Sequence, residues 1–430
     1  MLKSARRVSV SAGLVALSLS FASLASAQIT VQVVMSGLNN PRGLAIGADG
    51  GVYITEAGSG AFDPNTGVFD LNAPSVIGVN PVEEFYGTTG SVSRLLGGMQ
   101  SRVLSGLPSL AGTDGGGATG LQDIVFDGGG VAYGVIGSVG GPAQRAALNA
   151  SATSKGVTSD PGDLFGRLVR LNFDGVPSVN LADFVVAEGL LNPDQINDVT
   201  DINSNPYALT PLVGGGFGVV DAGANTLWNV GTDLTTVTVA SVFPTKPNTV
   251  TPLPPSYQAV PTSVALGPDG SYFVSQLTGF PFKQGGAEIY NVPAGGGAPT
   301  VAFSGFTTII DLAFGPDGQL YVLQLTQNGL GPESGGVPGP GQLIRVDPNT
   351  GTKTLLDVTL PGPPGGLLFS TGMAFDSDGS LYVSNLGVSP GGGQVLRLNG
   401  VAAVPEPGSG LLALSIALPV ATVIARRRKK

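Results

Sequence analysis

One pattern recurs along the chain and limits its fold more than any other feature. A polar lead-in is followed by four or five apolar residues, a Gly/Asp turn, then a small, an aromatic and an aliphatic residue. Clear copies span residues 42–54, 122–133, 263–274, 311–322 and 372–383. A degenerate sixth is found by laying 40–58 over 205–223 without a gap, with Gly214 and Gly215 where Asp49 and Gly50 stood. Asp-Gly between two short β-rich runs is the strongest local signal for a hairpin. Self-similarity at such a period means stacked supersecondary units, each unable to bury its apolar face alone.

Each hairpin is followed by a second pair of candidate strands: 90–95 with 102–107, 287–292 with 300–303, and 343–347 with 352–358. Four antiparallel strands in each of six units predict an all-β fold, a six-bladed β-propeller. No helical pattern separates the hairpins, which disfavours a parallel sheet. The sixth unit stops one strand short, after Gln394 to Leu398. An orphan run, 30–38, resembles the fourth strands of other units. The N-terminal strand is therefore predicted to complete the last blade and close the ring, removing its exposed edges. Two insertions interrupt the pattern: 59–87, and 138–162, within which 143–150 reads as one or two helical turns.

The two ends read differently from this body. Lys3, Arg6 and Arg7 precede an apolar run from Val8 to about Leu24, and Ala25-Ser26-Ala27 follows. A basic start, a short apolar stretch and a small-x-small ending describe a signal peptide over 1–27, cut after Ala27 by signal peptidase. No cysteine stands near that site, so no lipoprotein anchor is expected. At the other end, over 404–430, Pro405-Glu406-Pro407 precedes an uncharged apolar stretch, 408–425, and a basic tail, 426–430. Eighteen residues at about 1.5 Å each reach roughly 27 Å, enough to cross the hydrocarbon core. The basic tail would stay in the cytoplasm, leaving the body outside. These three parts in this order resemble the PEP-CTERM sorting signal of Gram-negative bacteria. The resemblance implies an exosortase that cuts near Pro405-Glu406-Pro407. The protein would be anchored in the inner membrane in transit and then reach the cell surface or the extracellular polysaccharide.

With the ends set aside, the propeller body, 28–403, is strongly acidic. Of 20 Lys and Arg, three lie in 1–27 and five in 426–430; of 29 Asp and Glu, only Glu406 lies outside the body, which leaves it near −16. Nucleic acid is excluded as a partner, because binding it needs clustered cations. The chain has no Cys and no His. Disulfides, thiol chemistry, Cys or His metal sites and Ser-His-Asp triads are thereby excluded.

Several segments resemble the ScyD/ScyE family: 36–45, 86–92, 106–111, 201–209 and 220–225, which run in order through the whole body. The resemblance implies a secreted six-bladed propeller of the NHL-repeat and TolB-like kind, related in shape to calcium-dependent lactonases, with no proven reaction. It also suggests an accessory role for a secreted pigment or polysaccharide. The chain departs from the family around Ala118 to Asp123, where relatives often carry a His.

Two letter matches fail on context. Gly115 to Gly120 fits G-x-G-x-x-G, but a strand rather than a helix follows it, so it reads as a Gly-rich loop between blades. Asp201-Ile202-Asn203-Ser204-Asn205 begins like an EF-hand loop, yet Pro206 and Leu212 stand where Gly and Glu are needed. Aligning the blades is more informative. The first strand starts at Gly43, Asp123, Ala208, Ser263, Asp311 and Gly372; the second ends at Glu56, Ile136, Asp221, Gln276, Gln324 and Asn385. Both positions are expected at one mouth of the central channel. Glu56, Asp123, Asp221, Ser263, Gln276, Asp311, Gln324 and Asn385 are therefore the candidate ligand-binding ring. It would suit a polysaccharide, a small polyhydroxyl ligand, or Ca2+ held by Glu56, Asp221, Asp123 and Asp311. No catalytic residue is assigned. The reading favours a binding or structural module of the cell surface or matrix, with a calcium-dependent lactonase or esterase as the alternative.

Overall fold

The computed structural model describes residues 29–79, 81–195, 202–248, 253–360 and 365–402. The expected signal peptide and sorting tail lie outside the described residues, within which no helix is long and apolar enough to cross a membrane.

Six antiparallel blades are arranged about one axis. Blade 1 is Pro41–Ile46, Val52–Glu56, Glu83–Leu96 and Met99–Ala111, and blade 2 is Leu121–Phe126, Ala132–Ile136, Arg167–Leu171 and Val179–Asp183. Blade 3 is Pro206–Pro211, Phe217–Asp221, Thr226–Val230 and Val237–Val242; blade 4 is Pro261–Leu266, Tyr272–Gln276, Ala287–Val292 and Thr300–Phe306. Blade 5 is Ile309–Phe314, Leu320–Gln324, Gln342–Val346 and Lys353–Leu356. Blade 6 takes Met373–Phe375, Leu381–Asn385 and Gly393–Asn399 from the end of the chain and Thr30–Leu38 from its beginning. The expected closure is observed, with Thr30 opposite Asn399 and Leu38 opposite Gly393.

The repeated turn explains the repeated hairpin. In five blades the turn Asp accepts the backbone N–H two residues on, as Asp49 does from Gly51 (2.9 Å) and Asp378 from Ser380 (2.8 Å). The Gly that completes each of these turns has φ between 73° and 81°, a conformation a Cβ would strain. Apolar residues from facing blades interdigitate between the sheets, so the core is a set of wedges rather than one centre. The first strands of successive blades pack side by side around the axis, and that of blade 6 meets that of blade 1.

Arg42 staples this last seam. Its buried guanidinium donates to Gln122 Oε1 (3.1 Å), to the Ala118 carbonyl (2.7 Å) and to the carbonyl of Gly387 in blade 6. Thr371 Oγ1 adds a bond to the Pro41 carbonyl at 2.6 Å.

The insertion 138–162 corrects the sequence reading. It contains a full helix, α1 (Pro142–Ser154), not a turn or two. Leu148 and Ala152 are buried against the core between blades 1 and 2, and Arg145 holds Asp183 with both guanidinium nitrogens (2.8 and 3.0 Å). The segment is a brace and not a loose surface loop. Asp183 in turn caps α2 (Phe184–Leu191) by accepting from Val186 N.

Candidate functional site

The ring expected from the sequence separates into two sets. The residues that end the second strands are buried and turn inward. Glu56 Oε1 accepts from Ser93 Oγ (2.7 Å) and Arg102 Nε (3.2 Å), and Oε2 from Asn39 N (2.7 Å) and Arg102 Nη2 (2.8 Å). Asp221 Oδ1 takes the N–H groups of Asn205 (2.6 Å), Gly223 and Ala224, while Oδ2 takes Ser204 Oγ (2.6 Å) and Trp228 Nε1 (3.3 Å). Gln324 and Asn385 repeat the motif, accepting from Thr307 N and Leu368 N at 2.7 Å each. Gln276 accepts from Glu288 N at 3.2 Å. In four of the five, the residue clamps the segment leading into the first strand of its own blade. A residue at a strand end has a nearby stretch of backbone N–H groups to satisfy, and a carboxylate or amide oxygen does so.

The residues that start the first strands do line the axis. Asp123 Oδ2 accepts from Leu209 N of blade 3 (3.1 Å), and Asp311 Oδ2 accepts from Met373 N of blade 6 (2.7 Å). Ser263 Oγ of blade 4 donates to Asp311 Oδ1 (2.6 Å). Each side chain thus ties its blade to the next. Asp123 and Asp311 come from opposite blades and repel across the channel. Burial, then the charge of Asp311, raises Asp123 well above the usual carboxylate range. Burial pushes Asp311 up to about 6 against its hydrogen bonds. Gly43 belongs to this layer because a Cβ there would strike Asp123.

The proposed calcium donors therefore do not fit the ion. Glu56 and Asp221 are occupied by internal donors, while Asp123 and Asp311 accept backbone N–H groups on opposite blades. Among the described residues no three acidic side chains converge to hold a metal.

Two positions that the alignment passed over complete the channel. Arg42 and Tyr207 sit one residue before the aligned positions Gly43 and Ala208, and shifting the blade register by one would have found both. Burial raises the Tyr207 hydroxyl and lowers Arg42, while the Arg42 charge pulls Tyr207 the other way.

Above this layer, at the mouth where the second strands end, lies a cavity of about 530 Å3. Its lining includes the amides of Asn203, Asn205 and Gln258, the rings of Tyr257, Phe280 and Phe282, and Leu277. Phe280 and Phe282 meet edge to face at 6.3 Å. From the 59–87 insertion comes Glu84, which sequence reasoning also missed. Glu84 Oε2 is buried without a hydrogen-bond partner, and burial alone pushes the carboxyl up to about 7. The sequence signal was slight: an acidic pair, Glu83-Glu84, between Val82 and Phe85.

No family model matches the sequence, and no curated protein is detectably similar to it. Among solved structures, a virginiamycin B lyase from Staphylococcus aureus covers 86% of this chain and 99% of its own at 11% identity, with a TM-score of 0.43. A gluconolactonase from Xanthomonas campestris covers 86% and 89% at 12% identity and a TM-score of 0.45. Regucalcin, a calcium-binding protein from Agrobacterium tumefaciens, covers 61% and 66% at 15% identity and a TM-score of 0.36. Similarity at this level carries no argument about activity. The propeller assignment rests on the strand pairing itself.

Proposed function

We propose that the chain is an exported, exosortase-sorted propeller that binds a polyhydroxyl ligand, free or within the extracellular polysaccharide, in the channel-mouth cavity. The observation that carries this reading is the lining: three aromatic rings and three side-chain amides around one cavity. Sugars offer apolar C–H faces and hydroxyl edges, which such a mixed lining matches. The signal-peptide pattern, the PEP-CTERM resemblance and the ScyD/ScyE resemblance support export and a surface or matrix role. An accessory role for a secreted pigment or polysaccharide is a special case of it. The described chain ends at Ala402, beyond the Asn399–Thr30 pair and on the face opposite the mouth.

Binding of neutral oligosaccharides by calorimetry tests the reading. Phe280→Ala and Gln258→Ala should each weaken it about threefold to tenfold; unaltered affinity in both would remove the mouth as the site. Intact mass of the secreted protein tests sorting. A start at Gln28 and an end near Pro405 to Pro407 are expected, and retention of Arg426 to Lys430 outside the cell would refute it.

Glu84 favours a second reading, a lactonase or esterase. A carboxyl that titrates near neutrality can take a proton from water without His or metal. Glu84→Gln should then abolish hydrolysis of glucono-δ-lactone while leaving sugar binding intact.

A further inference from the structure

A second cavity, of about 320 Å3, lies at the rim where blade 4 meets blade 5. It is lined by the amides of Gln284, Gln324, Gln327, Asn328 and Gln342 with Thr307, and no charged side chain lines it. We propose that this groove is a separate binding site for a neutral polyhydroxyl chain, such as an uncharged oligosaccharide.

The amides are oriented, not merely gathered. Gln324 is buried, and its Oε1 accepts from the backbone N–H of Thr307 at 2.7 Å, which fixes which way its amide faces. Its Nε2 then donates to Gln342 Oε1 at 2.8 Å, and Gln342 Nε2 points on to Gln327 Oε1 at 3.4 Å. One backbone donor thus sets the polarity of the row. Each NH2 in the row retains an N–H that its neighbour does not use. Thr307 Oγ1 already accepts from Gly285 N at 3.0 Å, which leaves its own O–H to donate. The groove therefore presents preset uncharged donors, with amide oxygens such as that of Gln284 among them. Hydroxyl and ring-ether oxygens of a sugar match that supply. A cation would find no carboxylate in the lining. The ammonium beside it, that of Lys353, is engaged by the Ser304 carbonyl and lies over the Phe306 ring, so an anion meets no free positive charge in the lining.

The groove differs from the mouth in chemistry and position. The loop between the second and third strands of blade 4 divides them: Phe280 and Phe282 face the mouth, and Gln284 and Gly285 the groove. The two sites can therefore fail independently.

Calorimetry on the full chain with maltohexaose and cellohexaose, alone and in a Phe280→Ala background, tests the groove. Binding should persist in Phe280→Ala. Gln342→Ala and Gln327→Ala should each weaken that residual binding about threefold to tenfold, with the melting temperature unchanged. Gln342 and Gln327 are half-buried, so neither change opens the core. No residual binding in the Phe280→Ala background would overturn the proposal. So would equal affinity in both amide variants, or a stronger, equally amide-dependent response to oligogalacturonate or to a polyglutamine peptide.

Discussion

Two rings of polar residues sit at the same end of the propeller and differ in almost everything else. Glu56 and Asp221, at the ends of second strands, are fully buried, and every oxygen has a donor within its own blade. Asp123 and Asp311, at the starts of first strands, face the axis and reach across to the next blade. The first ring shapes each blade; the second joins blades and leaves two like charges opposed. Identical residue types thus serve local folding in one ring and the character of the channel in the other. What separates them is the supply of N–H donors, not the carboxylate.

The largest effect should come from removing a saturated member. Asp221→Ala strands three backbone N–H groups, a hydroxyl and an indole N–H in the interior. A loss of about 3–4 kcal/mol is expected by urea denaturation. A loss below 1 kcal/mol would mean that water replaces the carboxylate easily and that the clamp is incidental.

Glu188 sharpens the contrast, because it lies near Asp221 yet both its oxygens are buried without a hydrogen bond. Burial, then the charges of Asp221 and Asp194, pushes it up to about 8, against about 4.5 unfolded. The folded chain therefore binds more protons between those values. Stability is undiminished below about pH 4.5 and falls as pH rises towards 8. Glu188→Gln should remove that slope and be more stable than the parent at pH 8, by about 1–2 kcal/mol. A parent whose stability is flat from pH 5 to 8 would remove the distinction between donated and undonated carboxyls.

Arg102→Ala should cost less than the loss of Asp221, about 1–2 kcal/mol. Glu56 is fully buried, but it keeps Asn39 N and Ser93 Oγ, and the arginine is 44% exposed. Chemical denaturation checks the order of the two.

The smallest change is expected at the axis. Asp311→Asn should move stability at pH 7 little, since it loses a hydrogen-bond acceptor and gains relief from Asp123. It should flatten the pH dependence between about 4 and 6, where Asp311 titrates, relative to the parent. An unchanged profile would mean that burial does not hold the Asp311 carboxyl above the usual range.

The blades were legible because hairpin turns carry their own chemistry: an Asp that accepts two residues on and a Gly in a left-handed conformation. The closing strand was legible because 30–38 repeats the pattern of other fourth strands. Nothing local marks which polar residue faces the axis. Glu56 and Asp311 each adjoin an apolar strand, and only the donors around them, brought by tertiary packing, tell them apart. Tyr207 was hidden by one step of register. Glu84 was hidden because its perturbation comes from burial by an insertion outside the repeat. The helix α1 was underestimated because its apolar face is slight, only Leu148 and Ala152 being buried along it.

The pairing of Thr30–Leu38 with Gly393–Asn399 also bears on the order of events during biogenesis. A strand made first must wait, unpaired, until nearly the whole body has emerged. Such long-range pairing comes late and slowly, because the intervening chain must be brought together before the contact forms. Until then the leading strand and the open edges of blade 6 are free to pair with another chain. The body completes its ring only after synthesis is nearly over, and the moment when the last strand meets the first is the natural end point of its folding.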